Sequence, residues 1–124
     1  MLVFKILHTD EWQAAQAARV YRGSADDKRD GFIHLSTAAQ LAGTLNRHFA
    51  QATGLMLVAL DADNLGDKLK WEANSQGENF PHLYSDLELS RVLWTSTIPN
   101  KAPGVFALPA RAFAEQPQAA SRLS

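Results

Sequence analysis

The chain has 124 residues, 46% of them hydrophobic and 20% charged, which suits one soluble globular domain and excludes both a disordered chain and a two-domain protein. Twelve Lys and Arg against thirteen Asp and Glu leave a net charge of −1, so the broad positive field of a bulk nucleic-acid binder is missing, although a local cationic pocket is still allowed. Cysteine is absent, which removes disulfides, thiol catalysis and Cys-built zinc sites. The first apolar stretch, residues 2–7, is short and carries Lys5, and no later run approaches the ~20 residues of a membrane span, so a cytoplasmic protein without a membrane partner is expected.

The opening LVFKIL reads as a strand, and Asp10 with Gln13 has capping-box spacing for a helix over EWQAAQAAR, with Trp12 placed to pack. The next eleven residues, YRGSADDKRDG, concentrate Gly, Ser and charge and predict an exposed loop, in which Arg22, Lys28 and Arg29 could form a phosphate patch or a solvated charged surface. A brief strand over residues 32–35 follows. Thr37 and Gln40 form a second capping box, and Leu41, Leu45 and Phe49 recur at helical spacing, so a helix should lay one apolar stripe on the core. LMLVAL is an unbroken apolar run of strand length, expected to be central and covered on both faces, with Asp61 ending it.

LKWE alternates as an edge strand, NSQGEN reads as an exposed turn, and Pro81 fixes an extended exit towards His82. SRVLWTSTI predicts a strand with Val92, Trp94 and Ser96 on one face, and VFAL near residue 105 predicts another. Strands therefore outnumber helices in one α+β domain over residues 1–113, and the apolar-poor segment 114–124 is expected to fray.

Candidate chemistry falls in three segments at element edges. Strand alternation puts Phe32 and His34 on one face, opposite Ile33 and Leu35, and returns Ser36 to the histidine's side. His34 and Ser36 could thus share a ligand, with Thr37 beside them at a helix start that favours an anion; alternatively Thr37 only caps and His34 is a hydrogen-bonded structural residue. Glu72, next to Trp71, could meet a ribose hydroxyl or a developing oxocarbenium charge, or remain a solvated edge carboxylate. His82 and Tyr84, two apart, offer donors on one side of an extended segment. No metal site is expected, since no His-x-x-x-His or supporting carboxylate spacing occurs. Gly-rich phosphate loops and a G-x-S-x-G elbow are also missing from the sequence.

Taken in order, the initial FKI strand, DGFIHLST (30–37), LKWE (69–72) and FPHLY (80–84) resemble domain of unknown function family 952 over residues 3–95. That family is grouped by fold with the ADP-ribosyltransferases, so the resemblance implies a split, strongly bent mixed or antiparallel sheet with a few short helices around an NAD-shaped cleft. It further implies that Ser36-Thr37 is part of a Ser-Thr strand, with Ala38 in place of a second Ser, that His34 or His8 takes the ribose-holding position, and that Glu72 is the carboxylate. Ser85-Asp86 stands where the family has Gly-Pro after the tyrosine.

Three functions remain in view. The first is a small-ligand cleft for a nucleotide, NAD or ADP-ribose, in a transferase or its inactive relative, with His34, Glu72 and His82 as catalytic groups and His8, Ser36, Thr37, Trp71 and Tyr84 contacting substrate; NAD would then be a substrate, and no cofactor is required. The second is a two-histidine phosphoesterase, which His34-Leu-Ser36 fits and His82-Leu-Tyr84 does not. The third is a noncatalytic binding or assembly module, to which three Trp and six Phe would contribute.

Overall fold

The computed structural model describes residues 1–114, so the segment expected to fray lies, from residue 115 on, outside the described residues. In chain order the elements are β1 (Leu2–His8), α1 (Thr9–Ala18), β2 (Val20–Tyr21), α2 (Ala25–Asp30), β3 (Ile33–His34), β4 (Ser36–Thr37), α3 (Leu41–His48), β5 (Leu55–Asp61), β6 (Leu69–Ala73), β7 (Asn79–Leu83), β8 (Leu87–Glu88), β9 (Val92–Ile98), β10 (Asn100–Ala102) and β11 (Val105–Phe106). No helix among the described residues is long and apolar enough to cross a membrane.

The largest sheet has the order β4-β1-β5-β9 and a smaller one the order β3-β7-β6, with β2–β8 and β10–β11 as separate two-stranded pairs. Every strand pair among the described residues is antiparallel, which narrows the expected mixed or antiparallel sheet. The segment from β4 through α3 to β5 does return in the same direction, but β1 lies between those two strands and pairs antiparallel with each.

As its unbroken apolar run implies, β5 is central and covered on both faces. Alternation along β1 sends Val3 and Leu7 into one core, with Trp12, Tyr21, Ile33, Leu35 and Leu83, and sends Phe4 and Ile6 into the other, with Leu41, Leu45 and Ile98. Full burial of Leu41 and Leu45 stabilises the packing of α3 by roughly 1.5–3 kcal/mol each. The Thr37 backbone N–H donates to Gln40 Oε1 at 3.0 Å, as capping-box spacing predicts, and a single helical turn leads into α3.

Three expectations are corrected. Helix α1 is capped two residues earlier than Asp10 and Gln13 suggest: the His8 backbone N–H donates to Glu11 Oε1 at 3.2 Å. The predicted loop 21–31 contains helix α2. Ser24 Oγ accepts from the Asp27 backbone N–H and Asp27 Oδ2 accepts from the Ser24 N–H, so a reciprocal cap starts the helix, and Asp27 is buried. In β9, Trp94 pairs with Ala59 but Val92 pairs with Leu60, leaving Leu93 as an extra, exposed residue. That bulge turns Val92 and Trp94 towards different cores, so they do not share a face.

Candidate functional site

The strand predicted over 32–35 is divided at Leu35. Residues 33–34 pair with β7 in the small sheet, and residues 36–37 pair with β1 in the large one. The Leu35 N–H bridges the change by donating to the Pro81 carbonyl at 3.0 Å. One short segment thus ties the two sheets together. Leu35 and Ser36 are both buried, and with the half-exposed His34 they border a cleft of about 430 Å³.

His34 and His82 are register partners across β3 and β7, and their ring centroids lie 5.7 Å apart. The His82 side chain is 12% exposed and that of His34 is 38% exposed. Each imidazole has a carboxylate at Nδ1: Asp27 Oδ1 at 2.6 Å for His34 and Glu72 Oε1 at 2.8 Å for His82. On His34, Nε2 also meets Asp30 Oδ2 at 3.0 Å, whereas Nε2 of His82 meets no protein partner among the described residues. Phe32 stacks on His82 with centroids 4.0 Å apart and is tilted against both His34 and Tyr84, which fixes the ring positions from the side.

Beneath His34 lies a buried charge network. Lys5, on the core face of β1 shared by Val3 and Leu7, places Nζ 2.8 Å from Asp27 Oδ2 and 3.1 Å from the His34 carbonyl. Asp27 Oδ1 also accepts the His34 backbone N–H at 3.1 Å. Burial alone would push the Asp27 carboxyl up. The hydrogen bond from His34 and the charge and hydrogen bond of Lys5 outweigh it and hold that carboxyl well below the usual range. Beside this network the Tyr21 hydroxyl is buried, with Ser24 and Asp27 near it but beyond a normal hydrogen bond; burial first, then the charge of Asp27, pushes its pKa up.

Glu72 accepts from the Tyr84 hydroxyl at 2.7 Å as well as facing His82, and the Tyr84 bond, followed by that to His82, lowers its carboxyl pKa. The same contact raises the pKa of the Tyr84 phenol. Asp30 is lowered chiefly by its hydrogen bond with Arg29.

Of the residues singled out in the sequence, His34, Ser36 and His82 line the cleft. Ser36 Oγ lies 3.0 Å from Thr44 Oγ1. Glu72 and Tyr84 stand behind His82, not in the cleft wall, and Thr37 caps the turn before α3. Trp71 occupies the other face of β6 from Glu72, 43% exposed. His8 lies at the start of α1 against Phe49, outside the cleft, so the structure separates it from His34. The sequence reading missed the central place of Asp27 and Asp30. The pattern Ser24-x-x-Asp27 is the available signal, since it announces a helix start where composition suggests only a loop. No group of three or more His, Cys, Asp or Glu arranged to hold a metal ion occurs among the described residues.

The family model described as "Protein of unknown function (DUF952)" matches residues 6–95. The crystal structure of protein CC0527 from Caulobacter crescentus is similar to this chain with 41% identity and a TM-score of 0.86, covering 92% of this chain and 100% of that one. The solution NMR structure of CC0527 is 44% identical over 83% of this chain and 89% of that one, with a TM-score of 0.74. No curated protein matches the chain significantly. With the family model spanning well over half of its residues, and with a 41% identical structure covering 92% of it, the chain belongs to the DUF952 family.

Proposed function

We propose that the cleft binds a small ligand of the nucleotide, NAD or ADP-ribose kind, and that His34 and His82 are the groups that meet its ribose or reacting end. The observation that carries this reading is the pairing of two imidazoles across β3 and β7 in one cleft, each with a carboxylate at Nδ1. Such a carboxylate fixes ring orientation and leaves Nε2 as the working atom, as in His-centred sites generally. Glu72 is then a positioning residue acting through His82, not a group that contacts substrate, and Ser36 contributes a hydroxyl to the same wall. A ligand hydroxyl approaching His34 would share or replace the contact between Nε2 and Asp30. The junction of two antiparallel sheets beside a cleft also supports grouping the fold with the ADP-ribosyltransferases. Calorimetric titration of NAD, ADP-ribose and AMP into wild type, His34→Ala and His82→Ala tests the reading. Binding to wild type that weakens about tenfold or more in either variant supports it, as loss of a hydrogen bond to a charged group would give. Absence of heat with all three ligands up to millimolar concentration removes it.

A second reading has one observation in its favour. Two carboxylate-oriented imidazoles at 5.7 Å can act as general acid and general base across a phosphodiester. Hydrolysis of a 2′,3′-cyclic nucleotide, abolished in His82→Ala, would favour this phosphoesterase; complete inertness towards that substrate would exclude it.

A further inference from the structure

The cationic side chains of the cleft are not equivalent. Lys5 is paired with Asp27 at 2.8 Å, and Arg29 is paired with Asp26 and Asp30 at 3.1 and 3.0 Å. Arg47, exposed on the last turn of α3, has no carboxylate within ion-pair distance among the described residues. Its guanidinium lies over the Phe80 ring, 5.8 Å from the centroid, and its Nη1 passes the bare α-carbon of Gly43, where an added Cβ would sit 3.6 Å away. Both Arg47 and Phe80 line the cleft, as does His48.

A cation at a helix C-terminus is favourable by itself, and that accounts for the charge of Arg47. It does not account for a guanidinium placed above an aromatic ring of the cleft wall. The cation–π contact with Phe80 directs the fork towards the cleft without neutralising it, so its donors stay available to a planar or tetrahedral oxyanion. The side of the cleft built from α2 has the contrary character, with Asp26 and Asp30 supplying acceptors suited to hydroxyl groups and hostile to a phosphate.

We propose that Arg47, held over Phe80 and flanked by His48, is the anion subsite of the cleft, so that a phosphorylated sugar or nucleotide binds with its phosphate on α3 and its ribose hydroxyls towards His34 and α2. The orientation rests on the ligand reading above, while the subsite itself does not. The phosphate contributes charge-assisted hydrogen bonds at Arg47, and the reverse orientation would set it against the carboxylates of α2.

The test uses ADP, adenosine and inorganic pyrophosphate as probes, with wild type, Arg47→Met and Arg47→Lys. Methionine keeps a stem that can cover Phe80 without the charge, and the site is exposed, so folding should be preserved. ADP should bind wild type about tenfold or more tightly than adenosine, as expected for a charge-assisted contact, with a salt dependence that adenosine lacks. The difference should vanish in Arg47→Met and persist in part in Arg47→Lys, and pyrophosphate should shift the Arg47 Nε NMR signal. A wild-type preference for ADP that survives intact in Arg47→Met overturns the subsite. If adenosine binds in a His34-dependent way and phosphate adds nothing, the subsite falls while the ligand reading stands. If pyrophosphate binds at Arg47 but adenosine, ADP and NAD show no nucleoside-dependent affinity, the subsite stands and the ligand reading falls. If ADP and pyrophosphate both fail to bind, the subsite is refuted.

Discussion

Lys5 Nζ and Asp27 Oδ2 meet at 2.8 Å with their side chains only 7% and 2% exposed, joining the first strand to a short helix that the charge-rich sequence around it does not suggest. Because Asp27 holds His34 with its other oxygen, the pair links the core to the cleft. Neither charge could be buried alone at tolerable cost, and each is the other's counter-charge, with the His34 hydrogen bond adding to the stabilisation of Asp27.

Asp27→Asn should therefore destabilise the protein by about 3–5 kcal/mol, since it leaves the Lys5 ammonium buried without its counter-charge. The acid limb of the stability profile has the same origin. The folded state holds the Asp27 carboxyl below its unfolded value of about 3.9, so its contribution is full above that pH and declines as the pH falls towards the lower, folded value. Urea unfolding measured through the acid range should show this decline in wild type and a flatter profile in Asp27→Asn. Equal slopes would show that another carboxylate governs acid unfolding.

Two glycines bracket that helix and should respond differently to alanine. Gly23 has φ +109°, and a Cβ there would lie 2.8 Å from the Asp27 Cβ; Gly31 has φ +87° but open space around it. Gly31→Ala should cost about 1 kcal/mol from backbone strain alone. Gly23→Ala adds displacement of Asp27, for roughly 1–3 kcal/mol, and should also shift the ring nitrogen signals of His34. The comparison is made by denaturant midpoint, and equal losses without a His34 shift would contradict the steric account.

Both tyrosines of the chain have raised phenol pKa values, Tyr21 by burial and then by Asp27, and Tyr84 by its hydrogen bond to Glu72. The contribution of Tyr21 to stability is full below its unfolded pKa of about 10 and declines as the pH rises beyond it towards the higher folded value. Alkaline titration of the native protein should therefore show less tyrosinate absorbance near pH ~10 than two ordinary phenols would give, and Tyr21 should ionise together with unfolding. Ordinary titration of both phenols in folded protein would refute the prediction.

Tyr84→Phe removes the larger of the two contacts that lower the Glu72 carboxyl, leaving that from His82. The Glu72 pKa should rise towards the ordinary value while remaining below it, as followed by carboxyl carbon NMR across the acid range. With Glu72 and Tyr84 both open to solvent, stability should change little. An unchanged Glu72 titration would mean that the hydrogen bond does not persist in solution.

Much of the framework is legible in the residues. The apolar run of β5, the stripe of Leu41 and Leu45, and the alternation from Phe32 to Ser36 are local periodicities that burial enforces on any fold. The ordered motifs also point to the right family, and spacing alone puts His82 and Tyr84 on one side of an extended segment, which the structure turns against Phe32. Local pattern fails where a distant group changes the energetics. The polar segment 22–31 becomes a helix because Ser24 and Asp27 cap each other, and Asp27 becomes a core residue only because Lys5 arrives from β1 to compensate its charge. Likewise, one extra residue at Leu93 reverses the face of Val92, a shift that depends on the register with β5. The sequence by itself determined which side chains could do chemistry. Only the tertiary structure decided which of them meet, because the pairing of β3 with β7 brings His34 to His82 while leaving His8 and Trp71 on other surfaces.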